Sequence, residues 1–448
     1  MKRNICLILV SILLVLSTVG SLSGCGDNRV TNSTVNNPPP SSDVETGEVE
    51  DVSGGEAINL MAGYEKGNII GLERDSAFDE NQWRLAMALF KSMNEANEQD
   101  NVLISPLSIQ LALAMTANGA KGQTRDEMVA LLGGEYTLES LNEYLLDYVE
   151  NLPSSEKYKL EIANSIWLKQ NGIVPNGDFL QTNKNYYDAE IYSAPFDKTT
   201  VTDINNWVNE NTDGLIKELI DEIGKYTIMY LINAIVFDAE WAEKYSEDDI
   251  YDDFFTTEEG VEQAIEMMYS IEYTYIEANG AKGFKKNYKD GKYSFVALLP
   301  GEGMSVDEYI ATLTGEEILH ALNNPDYSKI VIARMPKFSY DYSLTMNGVL
   351  TALGMPTAFD GIEADFSEMG VARENIYISK VLHKTFISVD EAGTKAGAVT
   401  GIVMDDFESE IGYENEVVIT LDRPFVYMII ENETNTPIFM GTLDSINN

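Results

Sequence analysis

The residue types on which most active sites depend are scarce in this chain. It has two histidines, His320 and His383, and two cysteines, Cys6 and Cys25. Both cysteines lie in the first 25 residues, so the remainder has no thiol for a disulfide, a metal or a nucleophile. There is no G-x-S-x-G elbow, no H-E-x-x-H pair, no glycine-rich phosphate loop and no calcium loop of EF-hand spacing. Carboxylates are abundant, but among 73 of them a pair at catalytic separation carries no information. The sequence predicts a protein that is not an enzyme and that needs no metal or cofactor. One stretch stands out: Val389-Asp390-Glu391-Ala392-Gly393-Thr394-Lys395-Ala396-Gly397-Ala398-Val399-Thr400. It has no bulky side chain between Glu391 and Val399. In an extended conformation Thr394, Ala396, Ala398 and Thr400 share one small face, with Lys395, Gly397 and Val399 on the other. Such a strand could enter between two existing strands under a covering helix, leaving Lys395 in water. Taken alone, the same run also suits a flexible Gly/Ala surface loop.

The elements that would hold this segment are legible in coarse form. Residues 78–96 have helical spacing of Trp83, Met87, Phe90 and Met93. Ser105 followed by Pro106 predicts a capped helix start, and the helix over 107–118 is apolar on nearly every side, hence buried all round. Thr124-Arg125-Asp126-Glu127 has the pattern of a capping box opening the next helix. Residues 226–237 form a continuous apolar run, the mark of a strand covered on both faces. Further strands are expected at 293–299, 329–335, 417–421, 425–430 and 438–443, the last two joined by a hairpin loop over 431–437.

The segment 389–400 also resembles the hinge of the serpins, whose pattern V-x-E-x-G-T-x-A-x-A-x-T it matches at Glu391, Gly393, Thr394, Ala396, Ala398 and Thr400. The resemblance extends over nearly the whole domain. It includes Asn101-Val102-Leu103-Ile104-Ser105-Pro106-Leu107-Ser108, Ile162-Ala163-Asn164-Ser165-Ile166-Trp167, and Ile204-Asn205-Asn206-Trp207-Val208. It continues through Leu231-Ile232-Asn233-Ala234 with Trp241, Met335-Pro336-Lys337-Phe338, Asp422-Arg423-Pro424-Phe425 and Phe439-Met440-Gly441. The resemblance implies an α+β serpin fold with a large central mixed β-sheet, further sheets, about nine helices and an exposed reactive-centre loop over about 391–416. It implies a serine protease inhibitor. The target forms an acyl-enzyme on the loop. The cut loop then inserts as a new central strand before water can release the protease. A cysteine protease is a second class of partner. About a dozen new sheet hydrogen bonds at ~1 kcal/mol each make a driving force on the order of 10 kcal/mol. The resemblance also places Ser105, Ser108, Asn233 and His383 in the polar cluster where the sheet opens, with His383 structural rather than catalytic. It assigns His320 no role.

Two features of this loop depart from the family pattern: Lys395 stands where Glu is frequent, and Gly397 where Ala is. Counting about sixteen residues from Glu391 puts the scissile bond at Phe407-Glu408; counting back from Pro424 points to Tyr413, and Val403 or Met404 would suit an elastase-like pocket. No Lys or Arg lies between Ala396 and Asp422, so a trypsin-like protease has no bond to cut there. Chymotrypsin-, elastase- or subtilisin-like proteases are the expected targets. The acidic loop favours those with a basic surface.

Composition supplies the exclusions and the address. The 448 residues carry 30 Lys+Arg against 73 Asp+Glu, a formal charge of −43, which leaves no basic face for nucleic acid. Residues 138–150, where polysaccharide-activated relatives place a basic helix, carry Glu139, Glu143, Asp147 and Glu150 and no base, so heparin-type activation is not expected. Met1-Lys2-Arg3 followed by an apolar run over 5–19 reads as a signal peptide. Leu22-Ser23-Gly24-Cys25 resembles the lipobox of bacterial lipoproteins. The expected organisation is a signal peptide over 1–24, a flexible tether over 25–71 lipidated at Cys25, and one serpin domain over 72–448. That implies a monomer anchored by lipid on the outer face of a bacterial membrane.

Overall fold

A computed structural model of the chain describes residues 56–155, 157–394 and 415–446. Among them are nine α-helices and four β-sheets of seven, six, four and two strands, an α+β architecture with helices and sheets segregated. The seven-stranded sheet carries the hinge. Its strands are β1 (Ile58–Asn59), β2 (Tyr158–Lys169), β3 (Glu190–Ala194), β4 (Met229–Glu240), β5 (Phe338–Thr345), β6 (Lys380–Val389) and β7 (Gly393–Thr394). Their spatial order is β1-β3-β2-β4-β7-β6-β5.

The apolar run expected to be a doubly covered strand is β4. Met229, Leu231, Ile235 and Phe237 enter the main core, whereas Tyr230, Ile232 and Ala234 enter a second core on the other side of the sheet. Alternation is preserved, but both faces are dry, so both are hydrophobic. Helix α1 (Ser76–Glu95) and helix α2 (Pro106–Ala117) belong to the main core, and all twelve residues of α2 are buried. The Ser105 hydroxyl accepts from Ser108 N, and Pro106 opens the helix. Helix α3 (Leu138–Asn151) and helix α4 (Gly177–Tyr187) pack on each other and on α2. Helix α5 (Lys198–Asn211) covers the outer face of the sheet, pressing Ile204, Trp207 and Val208 into the second core with Trp167, Tyr230 and Leu382.

Two expectations need correction. The Thr124–Glu127 capping box does not form, because the helix begins a turn earlier, at Gly122, with Lys121 before it and no side-chain cap. Thr124 Oγ1 instead accepts from Asp365 N, and Glu127 accepts from Thr357. The two residues are used for tertiary contacts rather than for capping. The second correction concerns the tether, whose last part is built into the domain. Ile58–Asn59 adds an antiparallel edge strand to β3, Leu60 N donates to Ile191 O, and Met61 is buried. Gly67 N is held by Asn185 and Leu72 N by Glu143 O. The polar composition of the whole stretch hid the short apolar segment Ile58-Asn59-Leu60-Met61 that can pair and pack.

Candidate functional site: the hinge and the clasp of the main sheet

The hinge leaves β6 through a tight turn. Asp390 accepts from Ala392 N at 2.8 Å and Gly393 N at 3.1 Å, while Asp390 N donates to Gly393 O. Burial holds the Asp390 carboxyl above the usual aspartate range. The chain then runs back as β7, wedged between β4 and β6, with Thr394 opposite both Ala239 and Val389. Gly393 is obligatory there, since a Cβ would lie 2.0 Å from Ala239 O. Thr394 is 2% exposed, and its hydroxyl is hydrogen-bonded to Tyr288 OH.

Several groups fix this turn from outside. Trp241 donates its indole N–H to Asp390 O and its backbone N–H to Ala392 O, and Tyr245 N donates to Glu391 O. Trp241 stacks on Tyr288 at 4.5 Å, so one aromatic pair holds both ends of the turn. Lys337 Nζ lies 2.9 Å from the Glu391 carboxylate and 3.4 Å from Glu266. The hydrogen bond from Lys337 draws the Glu391 pKa below the usual glutamate range. Lys286, nearly buried, pairs with Glu272 at 2.9 Å and sits 4.4 Å from the Tyr245 ring centre.

Below the hinge, β4 and β6 are parallel and touch over only four pairs, Lys380–His383 against Tyr230–Asn233. Between this clasp and β7 no ladder joins them among the described residues. The clasp ends on a polar cluster. His383 Nδ1 lies 2.9 Å from Asn233 Oδ1, and Ser105 N donates to His383 Nε2. Asn233 Nδ2 donates to Ser108 Oγ and to Asn164 Oδ1. With its amide N–H groups used, Asn233 can only accept from His383. The imidazole is therefore neutral and protonated on Nδ1. Full burial agrees, lowering the His383 pKa to about 3. Such a histidine holds strands together; it exchanges no proton at neutral pH.

The structure thus brings Ser105, Ser108, Asn233 and His383 into one cluster, and Glu391, Gly393 and Thr394 into one turn. The remaining hinge residues Ala396, Ala398 and Thr400 lie outside the described residues. So do the scissile-bond candidates Val403, Met404, Phe407, Glu408 and Tyr413, and the lipidation site Cys25. The chain re-enters as Glu416–Thr420, parallel to Ile330–Arg334 in the four-stranded sheet. Sequence reasoning missed Asn164 as a member of the cluster and Lys337 as the partner of Glu391. Both lie in stretches already noted, but their partners are 69 and 54 residues away, and only the sheet register brings them together.

Known proteins resemble this chain in sequence and fold. A family model described as Serpin (serine protease inhibitor) matches residues 80–446. The leukocyte elastase inhibitor of Sus scrofa is 31% identical over 380 residues, 81% of this chain and 97% of that protein. A serpin-like protein of Thermococcus kodakarensis is 30% identical over 370 residues, 79% of this chain and 82% of its own. Among solved structures, the thermophilic serpin tengpin in its native state superposes with TM-score 0.83 at 46% identity, covering 87% of this chain and 100% of tengpin. Tengpin in its latent state gives 0.75 at 47% identity, covering 84% and 100%. The family model over residues 80–446, the relatives and the shared fold show that the chain belongs to the serpin family.

Proposed function

We propose that this serpin inhibits serine proteases by suicide trapping and that its targets are chymotrypsin-, elastase- or subtilisin-like. The observation that carries the reading is β7, the first two residues of a strand already seated between β4 and β6. A loop cut beyond that point need only continue along a lane that has begun, while the acyl-enzyme bond carries the protease with it. Two further features support a sheet that can still admit a strand: the short clasp below β7, and the pairing of Glu416–Thr420 in the four-stranded sheet. The reactive bond proposed is Phe407-Glu408, with Val403, Met404 and Tyr413 as the other positions. The absence of Lys and Arg between Ala396 and Asp422 argues against trypsin-like targets. The inhibitor acts as a monomer, exported and lipid-anchored through Cys25 to the outer face of a bacterial membrane.

Mixing the protein with chymotrypsin, pancreatic elastase and subtilisin tests this directly. At least one should give a complex that survives boiling in detergent, and the mass of the released C-terminal peptide identifies the cut bond. If all three only cleave the loop and leave free active protease, the chain is a non-inhibitory member that acts by binding.

A further inference from the structure

A cavity of about 220 Å³ opens beside the main sheet, between β2, α3, α4 and α5. Its wall includes Ile162, Asn164, Tyr186, Glu190 and Trp207. Glu190 is unusual among these. Its carboxylate accepts from Tyr192 OH and from the Trp207 indole N–H, both neutral donors, and no basic side chain among the described residues pairs with it. Lys66, Glu150 and Asp188 also line the cavity, but Lys66 is taken up by Glu150 and Asp188 is paired with Lys184 outside it. The lining therefore combines one half-buried carboxylate without a basic partner, an already neutralised Lys66–Glu150 pair, aromatic side chains and aliphatic Ile162. A carboxylate beside aromatic faces is the chemistry that recognises organic cations. At about 30 Å³ per water the space equals roughly seven waters, below the usual range for drug-sized ligands.

We propose that this cavity binds a small organic ammonium ion with an apolar group, taking Glu190 as its counter-ion and Trp207 and Tyr186 as its aromatic walls. The position has a consequence that rests on the trapping reading. Glu190 belongs to β3, Asn164 to β2 and Trp207 to the covering helix α5, and Asn164 is bonded to Asn233 of the clasp. A ligand touching all three ties together parts that must shift when a new strand enters, so it favours the closed sheet and slows insertion.

The test uses phenethylammonium as probe, with uncharged 2-phenylethanol and ring-less ethylammonium as controls, on the full chain by calorimetry. Saturable one-to-one binding of phenethylammonium is expected, at least tenfold tighter than either control. Glu190→Gln keeps the acceptors for Tyr192 and Trp207 and should weaken binding at least tenfold. Tyr186→Ala, on a less buried wall, should weaken it several-fold. No saturable binding, equal binding of the alcohol, or undiminished binding by Glu190→Gln overturns the site. The last result would mean only general attraction of a cation to an acidic chain. In a second arm, saturating amine should lower the detergent-stable fraction for the wild type but not for Glu190→Gln. An unchanged fraction despite binding overturns the coupling. If no protease is trapped even without amine, it is the trapping reading that fails, and the calorimetry still judges the site.

Discussion

Replacing Thr394 by arginine probes the trapping mechanism where the structure is most demanding. Thr394 is 2% exposed, flanked by Ala239 and Val389, and bonded to the buried Tyr288 hydroxyl. The substitution leaves that hydroxyl without its partner, at about 1–3 kcal/mol. It also forces a guanidinium into a buried site flanked by Ala239, Val389 and Tyr288, which costs several kcal/mol even after relaxation. If only about 3 kcal/mol of this is felt at the barrier to insertion, insertion slows roughly 150-fold. Hydrolysis of the acyl-enzyme then wins the competition. Titrating a fixed amount of protease with the variant should consume more than about ten inhibitor molecules per enzyme molecule inactivated, with cleaved serpin replacing the covalent complex on a denaturing gel. Thr394→Val removes only the hydroxyl and should fall between the two. A Thr394→Arg variant with wild-type stoichiometry would refute the claim that this residue enters the sheet facing the core.

Other expectations follow from groups around the same sheet. Glu391→Lys sets two cations together at the top of the sheet. The original pair is partly exposed and so contributes only about 1 kcal/mol, but it guards the opening, and native gels after incubation at 45 °C should show faster loss of monomer than for wild type. The His383 pKa is depressed by burial from 6.5 to about 3, so its contribution is complete above pH 6.5 and is lost as pH falls toward 3, on the order of a few kcal/mol. Monomer loss should therefore accelerate below about pH 5, and His383→Gln should flatten that dependence. Burial has the opposite sign at Asp444, raising its pKa from 3.8 to about 7, so its stabilising contribution is complete below about pH 3.8 and is lost as pH rises from there through 7. Asp444→Asn should raise the melting midpoint by about 2 °C at pH 8.5 and by progressively less as the pH falls from 7 toward 4. For the anchor, Cys25→Ser should abolish radiolabelled palmitate incorporation and release the protein from the membrane fraction.

Much of this was readable from the sequence because the strongest local signals agree with the fold. Ser105-Pro106 starts a helix wherever it lies before an apolar run, and α2 has no polar face with which to face water. The strands Tyr293–Leu299 and Phe425–Glu431 lie within a residue of their expected bounds because each is a dense apolar run closed by polar residues. What was not legible depends on partners far along the chain. Thr124 looks like a cap until Asp365 arrives to use its hydroxyl. Ile58-Asn59 is too short to be noticed without β3 beside it. That Glu190 is held by two neutral donors and no basic side chain among the described residues is likewise a property of neighbours that the sequence does not order. The resemblance supplied the roles of Ser108 and Asn233, which no spacing rule would have joined to His383.

Under the proposed trapping mechanism, the four-pair clasp would also act as a clock. Continuing β7 in register from Thr394 opposite Ala239 and Val389, the position six residues on, Thr400, arrives opposite both Asn233 and His383. Residues before it pass through a part of the sheet where no ladder between β4 and β6 has to be undone, so the first stage of entry is nearly free of cost. Thr400 meets the bond between the imidazole and the Asn233 amide, and from there each step requires one clasp pair to part. On that mechanism the delay that decides between capture and escape would be concentrated at one rung of the sheet. Changes to that rung should alter how long the protease is given to deacylate, while leaving the affinity of the first encounter untouched.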